Sequence, residues 1–274
     1  MKPIPKKCVK DDIKIKGEMF MSFFNKVLAS VGVGGAKVDT KLEKSEFTAG
    51  EIMQGVVEVI GGNLEQQIDA IYLTINTTYI RESNDRKYTD VATIQKYKVS
   101  EPFTISANEK KVIPFSLTLP EDAPVTYGST RVWVSTGLDI KNSVDPTDKD
   151  YIHVRPTKIA SHILESIEQL GFKIRKVECE KASAKLGSRY PFVQEFEFVP
   201  VSSSYRSKLD ELEILFLSQS AQSVEILMQV DRRARGFGGL LAEAFEMDEK
   251  FIRLTVNAQD IPTIKDELKK AIGI

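Results

Sequence analysis

The chain has 274 residues, enough to bury a sizeable core and to divide into two domains of about 100–150 residues each. Its hydrophobic fraction of 42%, and 38 Lys and Arg against 39 Asp and Glu, place it among ordinary globular proteins and leave no global field with which to hold nucleic acid. Two cysteines, Cys8 and Cys179, stand far apart and outside any C-x-x-C pair, which argues against a disulfide framework or a zinc site and suits a reducing cytoplasm.

The first twenty residues lack the continuous apolar core of a signal peptide, and no later run approaches the roughly 18 apolar residues of a spanning helix. From Ser22 the spacing predicts a short helix: Phe24, Val27, Leu28 and Val31 fall at i, i+3, i+4, i+7, and Gly32 to Gly35 end it. Phe23 and Phe24 beside Lys26 make it a candidate membrane-surface or partner helix, although a single Lys gives little attraction to anionic lipid and packing on the fold is favoured.

Period two then takes over. Val38, Thr40 and Leu42 alternate with Asp39, Lys41 and Glu43, and Val57 and Val59 repeat the scheme. Ile71, Leu73 and Ile75 continue it, and Ile113, Phe115, Leu117 and Leu119 form a further strand that Pro114 restricts to an edge or a bulge. Pro120 and Pro124 punctuate a turn, Val132 and Val134 alternate with Arg131, Trp133 and Ser135, and Asp145-Pro146 opens a turn before a strand at Tyr151 to Val154. Strands separated by turns, with no intervening helices, point to an antiparallel sandwich over 36–155.

Between Pro156 and Gly171 the period switches to helical: Thr157 can cap, Ile159, Ile163, Leu164, Ile167 and Leu170 form one stripe, and Gly171 can supply the left-handed residue that ends it. Strand patterns return at Phe192, Phe196 and Phe198, at Leu212, Ile214 and Phe216, at Val224 to Val230, and at Ile252, Leu254 and Val256. A terminal helix is expected to begin at Asp260, with Pro262 in its first turn and Ile264, Leu268, Ala271 and Ile272 on its apolar face.

Chemistry is sparse. The two histidines, His153 in a strand and His162 in the connecting helix, have no nucleophile elbow to serve, so structural or surface roles are expected. Asp139, Asp145, Asp148 and Asp150 crowd together, but counted from Asp145 the run has no Gly at the sixth position and Pro156 at the twelfth. A turn is therefore expected rather than a calcium loop, and no metal or cofactor is assigned. Asp231-Arg232-Arg233-Ala234-Arg235-Gly236-Phe237 is the other candidate. It is neither a P-loop nor a dinucleotide fingerprint, and it reads as a long connection, a protein-docking surface led by Arg232, Arg233, Arg235 and Phe237, or an anion site.

The runs TGLDIKNSVDP, DKDYIHVRP and DRRARGFGG with EAFEMDE resemble the bacterial sporulation-control protein family, over residues 21 to about 260. The resemblance implies an arrestin-like N-terminal half and a chain start near Met21. It also implies a cytoplasmic regulator of sporulation whose partners are proteins of sporulation signalling or cell division, without nucleic acid. The resulting expectation is all-β: two consecutive β-sandwich (arrestin-like) domains with a connecting helix and short terminal helices. The divisions are 1–20 as an extension outside the fold, 21–155, the helix 156–171, and 172–274. The expected function is a non-catalytic scaffold. Its alternatives are a membrane-surface adaptor using Phe23 and Phe24, or an enzyme with carboxylates or arginines in a cleft at the domain junction.

Overall fold

A computed structural model describes residues 34–140, 145–206, 208–232 and 251–274, excluding the side chains of Ser204 and Arg232. The predicted helix with Phe23 and Phe24, and the candidate docking residues Arg233, Arg235 and Phe237, lie outside the described residues.

The first half is two facing sheets. One is a three-stranded antiparallel layer of β1 (Lys37–Leu42), β3 (Ile52–Ile60) and β7 (Lys110–Thr118), in the order β1-β3-β7. The other centres on β4 (Gln66–Ser83), flanked by β5 (Arg86–Lys98), β6 (Phe103–Ile105) and β8 (Val132–Ile140), and extended by β9 (Thr147–Arg155) and β2 (Glu46–Thr48). Alternation places Met53, Val57, Val59 and Phe115 on the inner face of one layer and Ile71, Leu73, Ile75, Val132 and Val134 on that of the other, forming one core. Among the described residues β7 pairs only with β3, and Pro114, opposite Val56, sits on that edge where its missing N–H costs no ladder bond.

Period two does not reveal β5. It is a polar strand, RKYTDVATIQKYK, returned against β4 by a two-residue turn whose Asn84 and Asp85 both take positive φ, the conformation that matches the twist of a tight hairpin.

Helix α1 (Lys158–Gln169) follows β9. Thr157 accepts the Ala160 N–H at 3.3 Å, and Gly171 takes φ +94° beyond the last turn, as the capping residues require. The second half is an antiparallel meander of β10 (Phe172–Lys181), β11 (Phe192–Pro200), β12 (Leu209–Gln219), β13 (Ser223–Arg232) and β14 (Phe251–Asn257), with a four-residue helix α2 (Ser203–Arg206) between β11 and β12. Its inner face carries Phe196, Phe198, Leu212, Ile214, Ile226 and Met228. Over it lie α1, through Ile159, Ile163 and Ile167, and α3 (Ile264–Ile272), through Ile264, Leu268 and Ile272. The terminal helix starts later than the sequence suggests. Asp260 instead accepts the backbone and side-chain N–H groups of Asn257, each at 2.8 Å, and closes a single 3₁₀ turn, Ala258–Asp260.

One antiparallel-dominated sheet of 11 strands runs through both halves, because β10 joins β4 in parallel at the single pair Glu180–Ile80. β10 escapes the sequence pattern for a visible reason. A register shift between Ile174 and Lys176 breaks the phase, so Phe172 and Ile174 keep one alternation and Val177 and Cys179 another.

Candidate functional site at the junction of the two halves

The second half reaches into the first. Cys179, Tyr190 and Phe192 belong to the core of the first half, where Phe192 stacks on Tyr79 (6.0 Å between centroids) and on Tyr190 (5.4 Å). Filling that socket with Phe192 contributes about 1.5–3 kcal/mol. Burial pushes the Cys179 thiol up to about 12, against the opposing hydrogen bonds of the Thr130 and Thr77 hydroxyls, so it is a packing group rather than a nucleophile.

Polar groups close the same seam. The buried carboxamide of Gln194 accepts the Val125 N–H at 2.8 Å and donates to the Val125 carbonyl at 2.7 Å and to Thr130 Oγ1 at 3.3 Å, so one side chain stands in for a strand's ladder. Nearby, Tyr190 donates to Asp122 at 2.7 Å, and Arg189 bonds Asp122 at 3.3 Å and Gln95 Oε1 at 3.2 Å. Burial, followed by the Asp122 acceptor, raises the Tyr190 phenol above its ordinary range.

Beside this seam opens a cavity of about 1170 Å³. Its floor is the outward face of the sheet, with Glu82 and Lys87 from the hairpin, Lys176 and Glu180 from β10, and Glu195, Glu197 and Glu213 from β11 and β12. The connection 182–191 forms its wall. The register sets Glu178 opposite Glu195 and Glu197 opposite Glu213, so the carboxylates sit side by side. Cations engage several of them: Lys176 lies 2.7 Å from Glu178, and Arg175 pairs with Glu197 and Glu211. Burial pushes Glu195 up to about 7, with Glu180 adding to the shift and Lys176 opposing it. Sequence spacing does not reveal this cleft, because its residues come from three stretches far apart in the chain: the β4–β5 hairpin, 176–197 and β12.

His153, by contrast, is exposed on β9, with Nδ1 2.7 Å from Thr126 Oγ1 and Nε2 3.8 Å from Glu46. The row has the outline of a nucleophile, a base and an orienting acid. However, Thr126 Oγ1 also accepts the Val154 N–H at 2.9 Å, and Glu46 pairs with Arg155 at 2.5 Å, so both ends serve to join strands. His162 bonds the Lys158 carbonyl one helical turn back. Asp148 and Asp150 lie side by side, but Asp145 accepts the Ile140 N–H at 3.0 Å and Asp148 accepts that of Thr40 at 2.8 Å, as turn carboxylates do. Among the described residues no group of three or more His, Cys, Asp or Glu is arranged to hold a metal ion, and no helix is long and apolar enough to cross a membrane.

Fold and site together define an all-β, two-part protein with an open, charge-lined junction. A family model described as SpoOM protein matches residues 24–234. The sporulation-control protein spo0M of Bacillus subtilis (strain 168) is 44% identical over 241 residues, covering 88% of this chain and 93% of that protein. The crystal structure of Spo0M, sporulation control protein, from Bacillus subtilis superposes with a TM-score of 0.81 at 40% identity, covering 88% of this chain and 99% of that one. The chain belongs to the Spo0M family.

Proposed function

We propose that this chain is a sporulation regulator that acts without catalysis, by binding proteins in the cytoplasm. Its docking residues are Arg232, Arg233, Arg235 and Phe237, where arginines meet acidic groups and Phe237 supplies an apolar anchor. The observation that carries the reading is the junction cleft: it is large and open, its lining mixes both charge signs, and cations already sit beside its Glu180 and Glu197. Such a surface recognises a partner by charge pattern. The family relation supports the sporulation role.

One observation favours a second reading. Glu195, poised near neutrality in a junction cleft, has the proton affinity of a general acid. The two readings separate by experiment. The intact protein, a R232A/R233A/R235A variant and Glu195→Gln are used in affinity capture from the native cytoplasm and compared for spore yield in the host. Proteins captured by the intact form and lost with the arginines support docking through that loop. Capture unchanged by the arginine variant moves the docking site elsewhere. Loss of spore yield in Glu195→Gln, with capture intact, favours catalysis.

A further inference from the structure

The outward face of the first-half sheet carries a pattern that neither the core nor the junction uses. The β-register aligns Lys149, Ser135, Thr74 and Lys96 in one transverse row across β9, β8, β4 and β5. Strands lie about 4.8 Å apart, so the two lysine backbones are separated by roughly 14 Å across three spacings. Both ammonium groups rest on aromatic faces: Lys149 Nζ lies 4.0 Å from the Trp133 ring centre and 4.7 Å from that of Tyr151, and Lys96 Nζ lies 3.8 Å from that of Tyr72.

Among the described residues neither lysine has a carboxylate partner, in contrast to Lys98 with Glu101 and Arg155 with Glu46 on the same face. Between the lysines the row is hydroxyl-bearing. Ser135 Oγ accepts Trp133 Nε1–H at 3.0 Å, which leaves its own O–H to donate, whereas Thr74 Oγ1 accepts the Asn76 amide at 2.9 Å and donates to the Ser135 carbonyl at 3.4 Å. On the next row Gly137 is bare: a methyl group added there would meet no atom within 4 Å. Tyr151 is 57% exposed, a large amphipathic ring open to solvent.

We infer that this row is a recognition strip for an extended acidic segment of a partner protein, with two carboxylates four residues apart. An extended chain advances about 3.4 Å per residue, so residues i and i+4 point the same way about 13–14 Å apart, the separation of Lys96 and Lys149. The carboxylates pair with the lysines, the Ser135 hydroxyl faces the intervening backbone, and Tyr151 flanks it beside the buried Trp133. Held over rings, the two ammonium groups lose little freedom on pairing. A nucleic acid is the poorer occupant, because Glu46, Glu101 and Asp139 border the strip and would face its uniform phosphates, and the chain's net charge is −1. This inference rests on the proposal that the protein works by binding proteins, but it uses a different surface from the arginine loop.

Trp133 is the only tryptophan of the chain, so its fluorescence reports on the strip directly. The titrants are a synthetic ten-residue extended peptide with Glu at i and i+4 in a Thr/Val/Ser background, its isomer with Glu at i and i+1, a 20-mer oligothymidylate, and vesicles of mixed phosphatidylserine and phosphatidylcholine. All are added at low salt to the full chain. The i,i+4 peptide is expected to shift Trp133 emission saturably. Lys96→Gln and Lys149→Gln should each weaken it about tenfold, while Lys149→Arg retains it. No saturable shift, equal binding of the isomer, indifference to both lysine changes, or preference for the oligonucleotide or the vesicles would each overturn the inference. Affinity capture with the K96Q/K149Q double variant separates it from the parent proposal: partners still held through the arginine loop, with no peptide binding to the wild type, sink the strip alone.

Discussion

Replacing Gln194 with Leu tests whether the seam between the halves is held by that one carboxamide. Leu is similar in size but offers no polar atom. The Val125 carbonyl keeps a partner, because the Tyr127 N–H donates to it at 2.9 Å, but the Val125 N–H has Gln194 as its acceptor and is left buried and unpaired. An orphaned buried donor costs about 1–3 kcal/mol, so the seam should open about 5- to 150-fold more often. Cys179 provides the assay. It is 4% exposed, its thiol is pushed up to about 12, and it touches the same Thr130 that Gln194 holds, so a thiol reagent reaches it only when the seam opens. In a Cys8→Ser background, where Cys179 is the one remaining thiol, the rate of reaction with a chromogenic disulfide at pH 8 should rise by that factor, and the urea midpoint should fall. A labelling rate and a midpoint both unchanged, within about 0.5 kcal/mol, would show that apolar contacts alone hold the seam.

Other outcomes follow from the same geometry. Glu195, raised to about 7 from 4.5, favours folding in its neutral form; that contribution is complete below about pH 4.5 and is lost as pH rises through 7. Glu195→Gln should therefore match the wild type in urea at pH 4.5 and exceed it at pH 8, and equal midpoints at pH 8 would contradict the assignment. Asp150, raised to about 6 chiefly by burial and then by Asp148, predicts the same sign for Asp150→Asn, with the gain appearing between pH 4 and 6. Two glycines should differ in sign. A Cβ on Gly62 would lie 2.1 Å from the Gly34 carbonyl oxygen, so Gly62→Ala should cost about 2–3 kcal/mol, whereas Gly137→Ala, with open space around it, should gain about 0.5 kcal/mol by relieving strand glycine entropy. Thermal melts of both variants check this, and a stabilised Gly62→Ala would refute the close approach.

Where one face is buried and the other wet, the strands were legible, as in Ile71 to Ile75 and Tyr151 to Val154, because alternation is itself the record of two environments. Pro114 marked its edge for an equally local reason. β10 was hidden because its bulge inverts the alternation midway, and β5 because its residues are mostly polar. The junction was beyond any local pattern. Nothing near Phe192 announces that its stacking partner is Tyr79, more than a hundred residues earlier, nor near Gln194 that it completes the backbone of Val125. The strip on the outer sheet left a trace that could have been followed: Lys149, Tyr151, His153 and Arg155 are the alternate residues of one strand, all basic or aromatic.

The plugging of the first core by residues of the second has a consequence in time. A ribosome releases the sandwich strands first, yet the socket around Tyr79 stays vacant until Phe192 arrives, 37 residues after Arg155. At about 5–20 residues per second that interval is about 2–7 s, during which an apolar hollow faces the cytosol on a half-finished chain. The nascent protein thus passes through a stage that invites chaperones or misassociation. Slow codons between 156 and 192 would lengthen that stage without altering a single contact in the finished molecule.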